Sequence, residues 1–210
     1  MSILINKVIR TLIQADLVFL AAFGLISPIF AVFITDQIKG GNVEVVGFSA
    51  AVYWIIKSIL QIPISEILDK KRGEKDDFYF LICGTILAAL VPIGYIFSSL
   101  PWHVYLLQAI YGMGMAMAFP SWSAIFTRHI DRGKEAFEWG LESTALGFGT
   151  GLTGAIGGIL VAYFGFDLLF VIVSILALVG ALLPLMIRRE MLSQGDGYIR
   201  APEIKKPPLL

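Results

Sequence analysis

At 210 residues, 57% hydrophobic and only 15% charged, with a mean hydropathy of +0.81, the chain is too apolar for a soluble domain. Soluble domains run near 45–50% apolar and about 25% charged. Sixteen basic and sixteen acidic residues cancel, so nothing in the balance points to a nucleic-acid partner, and where the charges lie matters more than their sum. The lone cysteine, Cys83, lies in an apolar run without a partner for an internal disulfide and is expected to be a buried thiol.

Six apolar runs follow one another, at about 13–34, 45–67, 78–98, 103–125, 140–163 and 167–187. Each approaches the roughly 20 residues a helix needs to cross the hydrocarbon core. The first is too long for a secretory signal and lacks a small-residue cleavage site after it. The runs are continuously apolar, not alternating, so helices and not barrel strands are expected. The domain plan is a cytoplasmic N-terminus at 1–12, a six-helix transmembrane domain at 13–188 and a flexible cytoplasmic tail at 189–210.

Basic residues fall almost entirely on one side of that plan. Lys7 and Arg10 precede the first run. Lys70, Lys71, Arg72 and Lys75 lie between the second and third, and Arg128, Arg132 and Lys134 between the fourth and fifth. Arg188, Arg189, Arg200, Lys205 and Lys206 follow the sixth. The two left over are Lys39, on the other side, and Lys57, inside the second run. Loops rich in Lys and Arg stay cytoplasmic, so both termini and the two basic loops are expected in the cytoplasm of a cell whose plasma membrane the chain crosses.

Topology does not explain the acids. Residues 66–77 read EILDKKRGEKDD, and acidic residues contribute little to orientation. Ser65-Glu-Ile-Leu-Asp69-Lys70-Lys71-Arg72-Gly73-Glu-Lys75 is similar to the Gly-x-Leu-x-Asp-Arg/Lys-x-Gly-Arg-Arg/Lys signature between the second and third helices of the major facilitator superfamily. Ser65 stands for the first glycine, and Gly73 comes one residue late. In the fourth run, Gly112 and Gly114 match the family's Arg-x-x-x-Gly-x-Gly helix, with Gln108 in place of the arginine tied to proton handling. In the fifth, Gly157 and Gly158 resemble the glycine-rich antiporter helix, with Gly154 in place of proline. Neither departure favours proton coupling or antiport by the family's usual route.

The resemblance covers residues 10–190, about half of a usual twelve-helix member. It implies an all-α integral membrane fold of six transmembrane helices, built as two inverted three-helix repeats. SPIFAVFITDQIKGG from Ser27 and FPSWSAIFTRHIDRGK from Phe119 align Pro28 with Pro120, and Gly47 then falls opposite Gly140. The third run lacks charge, the sixth carries none beyond Asp167 at its start, and both are expected to face lipid, while the others face a polar space or a partner. In the family the acid at Asp69 helps hold one conformation closed. Asp69, Lys70, Lys71, Arg72, Gly73, Arg128 and Glu142 therefore form an expected cytoplasmic latch. A solvated loop that only sets topology is the other reading.

Lys57 sits near the middle of the second run. A charge there costs about 2.5–3.5 kcal/mol on insertion scales and suggests a functional role. With Tyr53 and Gln61 one turn away on either side, and with Gln108 and Tyr111, it makes up an expected midplane substrate or coupling site. A structural ion pair is the competing reading. Gly147, Gly151, Gly154 and Gly158 form a small-residue stripe for close helix packing. The two histidines, His103 and His129, fall on opposite sides, no metal-ligand spacing appears, and neither an enzyme site nor a cofactor is expected. The reading is a half-size secondary transporter working as a homodimer or with another half, its substrate unknown, and the tails at both ends read as those of a whole chain. The alternative is a non-transporting scaffold, sensor or partner subunit of the same fold.

Overall fold

A computed structural model describes residues 5–70 and 74–193, and every element among them is helical. Lys71, Arg72 and Gly73 of the expected latch, and the tail beyond residue 193, lie outside the described residues. Helix α1 covers Lys7–Gly24. Its start is capped by Asn6, whose side chain accepts from the Ile9 amide at 2.9 Å, satisfying one of the orphan donors of a helix start. Pro28 lacks an amide proton, and the chain passes through a tight turn at Ser27–Ile29 before α2, Phe30–Gln37, continues the span. Gly40, at φ 80°, turns the chain, a conformation that glycine adopts without strain. Asn42 then accepts from the Val45 amide at 2.9 Å and opens α3, Val43–Lys70.

Helix α4 covers Lys75–Ile96 and α5 covers Pro101–His129. The imidazole Nδ1 of His103 accepts from the amides of Ser99 and Leu100, at 3.1 and 3.3 Å, which caps the turn into α5. Helix α6, Glu135–Leu182, is two helical arms that meet at Gly165, where φ 80° and ψ 175° break the helix. A tight turn at Leu183–Ile187 leads into α7, Arg188–Ser193. Those last residues belong to the segment expected to be flexible, yet Met191 is fully buried beside Ile9, Leu12 and Ile187.

Four helical segments are long and apolar enough to cross a membrane: Lys7–Gln37, Val43–Lys70, Lys75–Ile96 and Glu135–Leu192. The 29 residues of α5 are not among them, since Gln108, Tyr111, Ser121 and Ser123 interrupt their apolar character. The chain is an integral membrane protein.

Helix α1 packs on α6, α4 on both α5 and α6, and α3 on α5. Glycines set the crossings. A Cβ on Gly114 would lie 2.7 Å from the Gly84 carbonyl oxygen, and one on Gly112 would lie 2.9 Å from that of Tyr53. The two family-like glycines of α5 thus bring α4 and α3 to backbone distance. One apolar core gathers around Phe33, Tyr95 and Phe170, and a smaller one around Phe78 and Phe126.

Two expectations are corrected here. Cys83 is exposed, on an outer face of α4. The third and sixth runs supply much of the buried core through Phe78, Leu81, Ala88, Phe170 and Val173, because each turns one face inward. The most open span is α3, in which only Val45, Ser49 and Leu68 of 28 residues are buried.

Candidate functional site

The midplane residues separate into neighbouring places. Tyr53 of α3 and Gln108 and Tyr111 of α5 line a cavity of about 290 Å³ together with Phe23 and Ser27. Phe23, Tyr111 and Tyr53 form a continuous aromatic stack, with ring centroids 4.9 Å apart at each step. The close α3–α5 crossing at Gly112 makes this stack possible.

Lys57, one turn beyond Tyr53, does not line that cavity. Its Nζ lies 4.8 Å from the ring centre of Phe119, 4.9 Å from that of Trp54 and 6.0 Å from that of Tyr53. Among the described residues no carboxylate forms an ion pair with it, so the structural-pair reading has no partner among them. Cation–π contacts are worth about 0.5–2 kcal/mol each, so the three together are of the same order as the cost of placing the charge in the membrane. Gln61 is elsewhere: with Ser65, Asp69 and Ser123 it lines another cavity of about 300 Å³ between α3 and α5.

One end of the bundle collects charge. Arg128, in the last turn of α5, pairs with Asp77, and its Nε stands 3.2 Å from a carboxylate oxygen of Glu74. His129 Nδ1 is 3.5 Å from the same oxygen and 3.0 Å from the Ile125 carbonyl. Both acids are almost fully buried. Burial pushes the Glu74 carboxyl above its usual range, against the pull of His129 and Arg128. The Asn6 amide donates to the His129 carbonyl at 2.7 Å and to Asp131 at 3.1 Å. Asn6, followed by Lys134, holds the Asp131 carboxyl below its usual range. Lys7 pairs with Glu190, so the start of α1, the α5–α6 link and α7 meet at this end.

Of the expected latch residues, Arg128 pairs with Glu74 and Asp77. Lys70 stands 3.7 Å from Glu66, with both side chains exposed. Glu142 faces inward. With Asp16 it lines a third cavity, of about 320 Å³, walled by Phe119, Trp122 and Trp139.

The expected glycine stripe also divides. Added Cβ atoms on Gly147, Gly151 and Gly158 would meet nothing within 4 Å, and one on Gly154 would make only ordinary contact with Pro28 and Gly24. The tight approach on this arm is instead at Gly157, which lies against the Leu25 carbonyl, and at Gly149 beside Leu17. On an α-helix, neighbours in sequence point about 100° apart, so the face toward α1 is offset from the stripe.

The profile of the Major Facilitator Superfamily matches residues 15–209, and the chain belongs to that family of membrane transporters, which are not enzymes. It is similar to the "Multi-drug resistance efflux pump PmrA homolog" of Lactococcus lactis, with 26% identity over 171 residues, 81% of this chain and 41% of that protein. It is also similar to an uncharacterised MFS-type transporter of Methanocaldococcus jannaschii, with 23% identity over 163 residues, 78% of this chain and 41% of that protein. The chain therefore spans about two fifths of the length of these curated relatives.

Proposed function

We propose that this chain supplies one six-helix half, made of two inverted three-helix repeats, of a secondary transporter that moves a small solute by alternating access across the plasma membrane. The observation that carries the reading is the openness of α3. This span bears Lys57 and Tyr53, yet more than half of its residues are exposed within the chain and only three are buried. Phe48, Trp54, Ile55, Ile59 and Ile62 line it, each more than half exposed. A pathway bounded by α1, α3 and α5 on one side needs a second half on the other. A second copy in parallel orientation is the simplest supplier, because the one-sided basic loops fix orientation. The termini then lie in the cytoplasm, and substrate binds among Tyr53, Gln108 and Tyr111 with Lys57 as an anion contact or coupling group. Gly147, Gly151 and Gly158 would face the second half, and Asp69 and Lys70 would help close the cytoplasmic side.

Native mass spectrometry from a mild lipid environment tests the pairing, with a dimer mass expected. Uptake into vesicles, screened over small anions and neutral solutes, tests the activity. A flux that Lys57→Ala abolishes supports the proposal. A strict monomer with no flux sinks it and moves the weight to a fold kept for a partner-subunit role.

A further inference from the structure

The end of the bundle where α1 starts carries basic groups that the site proposed above does not use. Ile9 and Leu12 pack with Ile187 and Met191, and Lys7 pairs with Glu190, so the first turns of α1 lie beside α7. Lys7, Arg10 and Gln14 recur at helical spacing on one face of α1, and all three are exposed. Arg188 and Arg189 of α7 are exposed too. Among the described residues, no carboxylate forms an ion pair with Arg10, Arg188 or Arg189. Glu190 is held by Lys7, Glu74 and Asp77 by Arg128, and Asp131 by Asn6 and Lys134. An apolar row leads up to the arginines. Ile175, Val179, Leu182 and Leu185 follow one another at helical spacing, and each is more than two fifths exposed. Residues three apart eclipse in a tight helical turn such as Leu183–Ile187, which puts Arg188 next in the row. The row is roughly 16 Å long at the rises of the two helix types. One leaflet of a hydrocarbon core about 30 Å thick is about as deep.

We propose that this end of the bundle binds one anionic phospholipid, its phosphate held by Arg10, Arg188 and Arg189 and an acyl chain laid along the row from Ile175 to Leu185. Guanidinium forks match phosphate oxygens in pairs through charge-assisted hydrogen bonds. Basic groups between helix ends at the membrane surface suit such headgroups. Gln14, one turn further into the membrane than Arg10 on the same face, offers an amide to the ester carbonyls. Membrane orientation asks only for positive charge on one side, and it does not require an apolar row that ends at an arginine. A free phosphate would use the arginines and leave the row uncovered, so the row is what selects a lipid. Equilibrium retention of a lipid does not depend on transport, or on a second half being present.

The test is native mass spectrometry of the full chain in detergent, titrated with phosphatidylglycerol or with phosphatidylcholine of the same acyl chains. The expected result is one phosphatidylglycerol retained per chain, at least tenfold more tightly than phosphatidylcholine. Arg10→Gln, Arg188→Gln and Arg189→Gln should each weaken that retention at least threefold. Leu182→Asn, in the apolar row, should weaken it by a similar factor. Lys39→Gln removes an exposed cation at the opposite end and should leave it within twofold. Inorganic phosphate at millimolar concentration should not displace the lipid. Equal retention of the two lipids overturns the proposal. An equal loss on Lys39→Gln and on the arginine variants also overturns it, because net charge alone would then explain the preference. Displacement by inorganic phosphate, or indifference to Leu182→Asn, would mean a site for a free anion and overturn the lipid as occupant. Should Leu182→Asn fail to fold, by thermal melting, the phosphate competition decides between the two. Lipid retention without flux in the vesicle assay would count against the transport reading and leave this one standing.

Discussion

The guanidinium of Arg128, at the end of α5, stands 3.2 Å from the carboxylate of Glu74, which is 1% exposed just before α4. The same guanidinium pairs with Asp77. One partly exposed cation thus compensates two buried acids that are three residues apart in sequence. Removing one member of a buried ion pair costs about 3–5 kcal/mol, because the other is left uncompensated. Arg128→Ala should therefore lower stability by an amount in that range. Arg128→Lys should recover part of it, since an ammonium supplies the charge without the planar fork. Thermal unfolding in detergent, followed by circular dichroism, checks both.

Glu74 gives the pH dependence. Its carboxyl is raised above 4.5, first by burial, with His129 and then Arg128 opposing. A carboxyl raised in the folded state binds its proton more tightly there than in the unfolded chain. Its contribution to stability is then present below 4.5 and is lost as pH rises through the raised value. Glu74→Gln should flatten the pH dependence of the melting temperature across that window. It should raise the melting temperature at pH 7.5 and leave it nearly unchanged at pH 4. A lower melting temperature at pH 7.5 would mean that the pairing with Arg128 outweighs the burial cost.

Two adjacent glycines separate packing within the chain from packing between halves. Gly157 lies against the Leu25 carbonyl, whereas Gly158 meets open space. Forcing extra atoms into a well-packed contact costs about 1–3 kcal/mol. Gly157→Ala should destabilise the chain by that order, while Gly158→Ala should leave its melting temperature unchanged. If a second half packs against the stripe, Gly158→Leu should shift the native mass spectrum from dimer toward monomer. A dimer that tolerates Gly158→Leu would place the contact on another face.

Lys57 should be dispensable for the fold. Among the described residues its charge meets three rings, at about 0.5–2 kcal/mol each. An apolar replacement removes an insertion penalty of the same order. Lys57→Leu should therefore leave the melting temperature nearly unchanged. A fall of several degrees would instead reveal a structural role, with a partner supplied from outside this chain.

What the sequence disclosed followed from what is local in it. Apolar run lengths mark the spans, and one-sided Lys and Arg imply an orientation. The buried charge cluster was harder to read. Glu74 and Asp77 sit among so many charges that they read as part of a solvated loop, and only the fold shows which turn inward. A signal existed: Asp77 lies one turn before Leu81, on the buried side of an apolar helix. Asp16 carries a comparable sign, one turn after the buried Leu12, but nothing local brings Glu142 to the same cavity. The glycine period of three or four fits more than one helix face, and only contacts show that Gly149 and Gly157 are the ones that meet α1 closely.

The joint at Gly165 has a consequence for biosynthesis. The two arms of α6 are separated by one non-helical residue, and both lie against α1, at Gly157 beside Leu25 and at Gly180 beside Phe19. Loop-closure cost rises with length, and here there is almost no loop. As the chain leaves the ribosome, the second arm follows the first with no polar linker to wait outside the bilayer. The pair would enter as one hairpin, offer a protease no strand to cut, and leave no room for an epitope tag between them.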